Sequence, residues 1–148
     1  MNKIQRVSSY CKIFFQISFL LLTVGFVFSW VAVGMGYTVL HEPWARFSIA
    51  LLENVARLLI LFFLIQLFKS YENNEILSVK NAFLIRNIGY TLLVKQTFIP
   101  LLNCIITRNL KGIFVDNIEM IVLSLLIIVS AWIMKEAYAI KEEHQLTV

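Results

Sequence analysis

Four long apolar stretches, set apart by short charged connections, take up most of this 148-residue chain. A helix that crosses a bilayer needs roughly 17–25 predominantly apolar residues. Ile13–Val33 contains no Asp, Glu, Lys or Arg. Phe47–Phe68 has the length despite Glu53 and Arg57, and Ile88–Ile106 has it despite Lys95. Ile118–Met134 is shorter and carries only Glu119, near one end. The apolar residues come as continuous blocks rather than as a stripe on one helix face, which suits lipid better than a water-facing helix. The overall balance agrees: 59% of the residues are hydrophobic and 15% charged, against about 45–50% and about 25% in soluble domains. Inside lipid every backbone N–H and C=O needs an internal partner, so only helices or closed barrels can span. Barrel strands would show alternating segments of ~10 residues, and none is present. The expected fold is all-α: an integral membrane four-helix bundle forming a single domain over residues 1–148. Its spans lie at about 13–33, 47–68, 88–106 and 118–134.

Lys and Arg set the orientation. Lys3, Arg6 and Lys12 precede the first span, Lys69, Lys80 and Arg86 occupy the second connection, and Lys135 and Lys141 the tail. The other side has Arg46, Arg108 and Lys111. Eight basic residues against three place both termini and the second connection in the cytoplasm by the positive-inside rule. Trp30, Tyr37 and Trp44 fall near the outer boundary, as an aromatic belt requires. A cleaved signal peptide competes for residues 1–36, but the apolar run is about twice the usual 7–15 residues of such a leader.

Catalytic chemistry has little foothold. His41 and His144 stand apart, and Cys11 and Cys104 fall towards opposite sides of the membrane, which disfavours a disulfide between them. No CxxC, HExxH, GxSxG, Walker loop or GxGxxG occurs. The expectation is a protein without catalytic residues, metal or cofactor, hence no enzyme. A net charge of +4 is accounted for by the cytoplasmic cations that anchor orientation and meet anionic lipid, so direct nucleic-acid binding is not expected. The bilayer itself is the first partner. A homo-oligomer stays open, with no GxxxG pair to name a dimer face.

The charges within the spans are more informative. Glu53 and Arg57, four residues apart, share a helix face and can pair. At ~1.5 Å per residue, Arg57 lies ~15 Å from the outer end of its span and Lys95 ~16 Å from the outer end of the third. Two cations thus sit at matched depth, where each costs about 2.5–3.5 kcal/mol on insertion scales, so facing lipid is disfavoured. The expectation is an intramembrane polar cluster between the second and third helices. Glu53, Arg57 and Lys95 form it, Asn54, Thr91 and Gln96 are candidate hydrogen-bond partners, and Glu119 is a second carboxylate that can reach inward. Such a cluster is either a ligand, proton or anion site or a buried clamp that fixes helix packing. The clamp is favoured. Pro100 can kink the third helix.

On the cytoplasmic side, Tyr71–Glu75 breaks the apolar pattern. Ser78 can then N-cap a helix that starts at Val79 and carries Lys80 and Arg86 to headgroup level. The tail extends the fourth helix through Glu136, Lys141, Glu142 and Glu143, and the closing Leu146-Thr147-Val148 can dock on the second connection or on a partner. Ser78, Lys80, Arg86, Glu136, Lys141, Glu142, Glu143 and Leu146 are the candidate partner-binding residues.

These two segments carry a resemblance. Glu136-Ala137, Lys141-Glu142-Glu143 and Leu146-Thr147-Val148 look like the closing signature of the YoaS-like bacterial membrane proteins, domain of unknown function 2975. Leu77-Ser78, Asn81 and Arg86-Asn87-Ile88-Gly89-Tyr90 resemble that family's turn and the helix start after it. The chain departs from the pattern at Leu77, Lys80 and His144-Gln145. The resemblance implies a four-span protein of the bacterial inner membrane with no established activity. It also implies a cytoplasmic partner such as a small Cro-like helix-turn-helix regulator. Two function classes follow: a non-enzymatic regulatory or scaffold protein acting through Lys69–Asn87 and Lys135–Val148, which is favoured, and a small carrier or channel-like protein using Glu53, Arg57 and Lys95.

Overall fold

The computed structural model of the chain describes residues 3–34, 43–73, 76–107 and 117–146. They form four helices: α1 (Lys3–Gly34), α2 (Pro43–Glu72), α3 (Val79–Thr107) and α4 (Ile118–Leu146). All four are long and apolar enough to cross a membrane. The shortest have 29 residues, about 44 Å at 1.5 Å per residue, so each exceeds a hydrocarbon core of ~30 Å. Tyr37, His41, Asn74, Glu75, Arg108, Lys111, Thr147 and Val148 lie outside the described residues.

Helices are the answer to backbone desolvation, and the polar side chains within the spans follow the same logic. Ser18, Thr23 and Ser29 in α1 donate to the carbonyls of Phe14, Phe19 and Gly25 at 2.8–2.9 Å. Thr97 in α3 and Ser130 in α4 donate to Leu93 and Leu126, each at 2.8 Å. A hydroxyl bound to the carbonyl one turn back needs no partner from another helix. α3 continues without a break through Pro100, whose ring nitrogen cannot donate to the preceding turn.

The all-helical layout is consistent with a four-helix bundle, and its described contacts run in chain order: α1 on α2, α2 on α3, α3 on α4. The inner pair, α2 and α3, packs together, as the matched charges on the two spans suggested. Aromatic pairs pin α1 to α2 at both ends. Phe15 stacks on Phe68 with ring centroids 5.5 Å apart, and Trp30 meets Phe47 edge-on at 4.7 Å.

Burial concentrates on α3 and what touches it. Ala82, Leu84, Ile88 and Ile99 are buried on α3, with Leu67 on α2 and Ala131 on α4. The α3–α4 seam is built from small residues at heptad spacing, Ala82 and Gly89 facing Ser124 and Ala131, all four buried. A Cβ on Gly89 would stand 3.2 Å from both Ser124 O and Ile128 N. Glycine lets the two backbones approach this closely without a shift of either helix, and close approach is how membrane helices gain packing energy where lipid tails remove the hydrophobic drive. Most of the large apolar side chains of α1 and α4 are exposed, as walls against lipid should be.

Candidate functional site

Two regions contain the residues singled out from sequence: the mid-span charges of α2 and α3, and the end of the molecule that carries the start of α1 and the finish of α4.

At mid-span, Arg57 Nη2 donates to Glu53 Oε2 at 3.3 Å. The pair stays on its own helix. Leu52, Val55, Ala56 and Leu59 are the α2 residues that line a groove of about 330 Å³ against α3. Glu53 and Arg57 each follow a groove residue by one position, which turns them ~100° further around the helix. Lys95 and Thr91 line that groove from the α3 side, and no ion pair within 4.0 Å joins Lys95 to Glu53 among the described residues. Asn54 Nδ2 donates to Ala50 O at 3.0 Å, and Thr91 Oγ1 to Asn87 O at 2.8 Å. Both bonds therefore stay within their own helices. Gln96 is half-buried, and Glu119 is exposed at the start of α4. The structure thus pairs Glu53 with Arg57 and sets Thr91 and Lys95 along the α2–α3 groove, which neither Glu53 nor Arg57 lines.

The other end is richer in contacts. Ser8 Oγ donates to Phe68 O at 2.6 Å, Gln5 Nε2 donates to Glu72 O at 3.3 Å, and Lys12 Nζ pairs with the Glu72 carboxylate. The bond from Gln5 satisfies the carbonyl of the last residue of α2, which has no intrahelical partner, and the one from Ser8 adds a second donor to a carbonyl one turn earlier. The Lys12 stem runs along the helix towards the polar end, as long cationic side chains do at interfaces. Sequence reasoning missed this clasp. Its signal was the matched position of Lys12 and Glu72 just past the apolar blocks of two helices that must be antiparallel neighbours.

Beyond the clasp, Ser78 caps α3 as expected from its place before the helix: Asn81 N donates to Ser78 Oγ at 3.2 Å. Asn81 is fully buried, and its Nδ2 donates to Ile76 O at 3.1 Å, which ties the turn to the helix it precedes. Lys69 and Lys80 line a notch of about 260 Å³ with Gln66, Ser70 and Asn73, where the end of α2 meets the start of α3. Arg86 is exposed, its guanidinium carbon 5.2 Å from the centroid of the Phe83 ring.

The finish of α4 projects past its neighbours. Gly89 abuts Ser124 and Ile128, so Val79, ten residues earlier on an antiparallel helix, lies level with about residues 134–138. The remaining residues to Leu146, roughly ten or ~15 Å, extend beyond the start of α3. Glu136, level with the start of α3, and Lys141, Glu142 and Glu143 beyond it are all exposed, while Leu146 ends the helix. Glu142 and Glu143 sit where helix carbonyls concentrate partial negative charge, which is the unfavourable end for a carboxylate.

A family model described as protein of unknown function (DUF2975) matches residues 38–148. No curated protein and no solved structure matches the chain. The chain belongs to the DUF2975 family.

Proposed function

We propose that this DUF2975 protein is a non-enzymatic regulatory or scaffold protein of the bacterial inner membrane, with both termini cytoplasmic, and that it holds a cytoplasmic partner on the α2–α3 connection and the projecting finish of α4. The observation that carries the reading is the projection itself. A helix that outruns the start of α3 by about three turns, with residues 139–144 all exposed, is read as a docking element rather than as packing. Its acidic end, Glu142 and Glu143, suits a basic partner surface, because opposite charge would relieve the unfavourable interaction with the helix dipole. A small helix-turn-helix regulator, whose DNA-reading face is basic, has that chemistry.

Affinity purification of the full chain from gently solubilised membranes is the test. A stoichiometric partner is expected with the native chain and with Glu53→Gln or Lys95→Gln. It is expected to be lost when Glu142 and Glu143 are both changed to Lys. Recovery of the chain alone would refute the reading.

The alternative is a small carrier or channel-like protein. It draws on Lys95 and Thr91 in the α2–α3 groove, a cation in a cleft at bilayer depth. In that case Lys95→Gln abolishes function while Glu53→Gln and changes in the polar segments do not.

A further inference from the structure

A second groove, of about 530 Å³, runs between α3 and α4 at the end that carries the start of α3 and the finish of α4. Its floor is made by the small buried residues Ala82 and Ala131, and its walls by Phe83 and Trp132, which are 50% and 65% exposed. Arg86 and Lys135 border it, one from each helix. Side chains in a helix lean towards that helix's own N-terminus. In an antiparallel pair this sends Arg86 outward along α3 and Lys135 inward along α4, so two cations approach one level from opposite sides. The position of the Arg86 guanidinium over Phe83, three residues nearer the N-terminus of α3, agrees with this. No carboxylate lies within 4.0 Å of either cation among the described residues. Deeper along the groove, Tyr90 and Ile128 continue the lining.

We propose that this groove binds one anionic phospholipid, with its phosphate between Arg86 and Lys135 and an acyl chain lying over Ala82 and Ala131 towards Ile128. Each part of the ligand has its counterpart. Guanidinium offers a phosphate paired donors, and interhelical basic pockets at the membrane face suit lipid headgroups. Trp132, about one turn deeper than Lys135, belongs at the boundary between headgroup and chain. The small residues on the floor leave the room that the chain fills. A soluble anion would use the two cations and leave the apolar walls wet, and a zwitterionic lipid would bring its own cation to the same place.

The test uses the full chain in bilayers, with Trp30→Phe and Trp44→Phe leaving Trp132 as the sole indole. Its fluorescence is quenched by brominated phosphatidylglycerol or by brominated phosphatidylcholine at equal mole fraction. The anionic lipid is expected to quench more strongly. Arg86→Gln and Lys135→Gln are each expected to reduce that preference about fivefold, whereas Arg86→Lys and Lys135→Arg keep most of it. Arg6→Gln, exposed on α1, serves as a distant control and should leave it unchanged, and inorganic phosphate at tens of millimolar should not compete. Equal quenching by the two lipids would overturn the proposal. So would a loss in Arg6→Gln as large as that in Arg86→Gln, which would mean diffuse surface charge, or full competition by phosphate, which would mean a simple anion site.

Discussion

Replacing Gly89 with alanine is expected to force α3 and α4 apart, and the size of the effect can be worked out from the contacts. The new Cβ would stand 2.6 Å from Ile128 Cγ1 and 3.2 Å from Ile128 N and Ser124 O. The first contact is with the γ carbon of a β-branched side chain, which has little rotamer freedom in a helix. The other two are with the backbone of α4 and are relieved only when one helix shifts by a few tenths of an ångström. Overpacking of this kind costs about 1–3 kcal/mol. Against it, alanine is favoured over glycine within a helix by about 1 kcal/mol. The net expectation is a destabilisation between about 0 and 2 kcal/mol, small enough that a single variant would not decide the matter. A double-mutant cycle with Ile128→Ala does decide it, because removing Cγ1 erases the closest overlap. Ile128→Ala should therefore cost less in the Gly89→Ala background than in the native chain, by about 1 kcal/mol or more. Reversible unfolding in mixed micelles at increasing denaturing-detergent fraction supplies all four corners. Gly89→Leu, with a larger side chain at the same point, should abolish the seam. The reasoning fails if Gly89→Ala stabilises by the full helix-propensity gain and its effect adds to that of Ile128→Ala within about 0.3–0.5 kcal/mol, the behaviour of sites that do not touch.

Three further outcomes are expected. Ser78→Ala should cost about 1 kcal/mol and speed hydrogen exchange of the Asn81 amide, while Ser78→Asp, which also caps, should retain most of the stability. Reversing the charge of either Lys12 or Glu72 should lower the thermal midpoint of the solubilised protein, and exchanging the two should recover most of the loss; a swap no better than the single reversals would mean that the clasp contributes nothing as an ion pair. With Cys11 and Cys104 both changed to Ser, a cysteine introduced at Lys141 should react with a membrane-impermeant maleimide only after the membrane is opened, and labelling of intact cells would refute the proposed topology.

How much of this was legible in the sequence depends on which coordinate is asked for. Position along the membrane normal was readable, because rise per residue is fixed once a segment is known to be helical. Four uncharged or nearly uncharged blocks leave no other reading, and Ser78 could be placed at a helix start because the residue that accepts a bond from the first turn must stand just before the apolar pattern resumes. Position around the helix axis was readable only relative to the same helix. Glu53 and Arg57 had to share a face, and they do. Which neighbour that face looks towards depends on packing, and packing here is decided by residues with little signal of their own. Gly89 stood within a motif, but nothing in it named Ser124 and Ile128 as what it approaches, although Ala82 and Gly89 repeat at the same seven-residue interval as Ser124 and Ala131.

The same distinction bears on the mid-span charges. Matched depth made Arg57 and Lys95 appear to be one cluster sharing Glu53. Depth alone cannot bring two groups together, because residues at one level on adjacent helices can still be separated by the width of a helix. Leu52 and Ala56 line the α2–α3 groove, so Glu53 and Arg57, one position further on, are turned ~100° away from the groove, and Lys95 lines it without them. The two halves then differ in energetic character. Glu53 and Arg57 neutralise one another locally, at the modest value of a helical i,i+4 pair but with a lowered cost of keeping either in lipid. Lys95 has an apolar groove and the Thr91 side chain beside it instead. If a transported ion or proton has a place in this protein, it is at Lys95 and not at the pair. Lys95→Gln and Glu53→Gln, measured side by side, would therefore give different results under the carrier reading and indistinguishable ones under the scaffold reading.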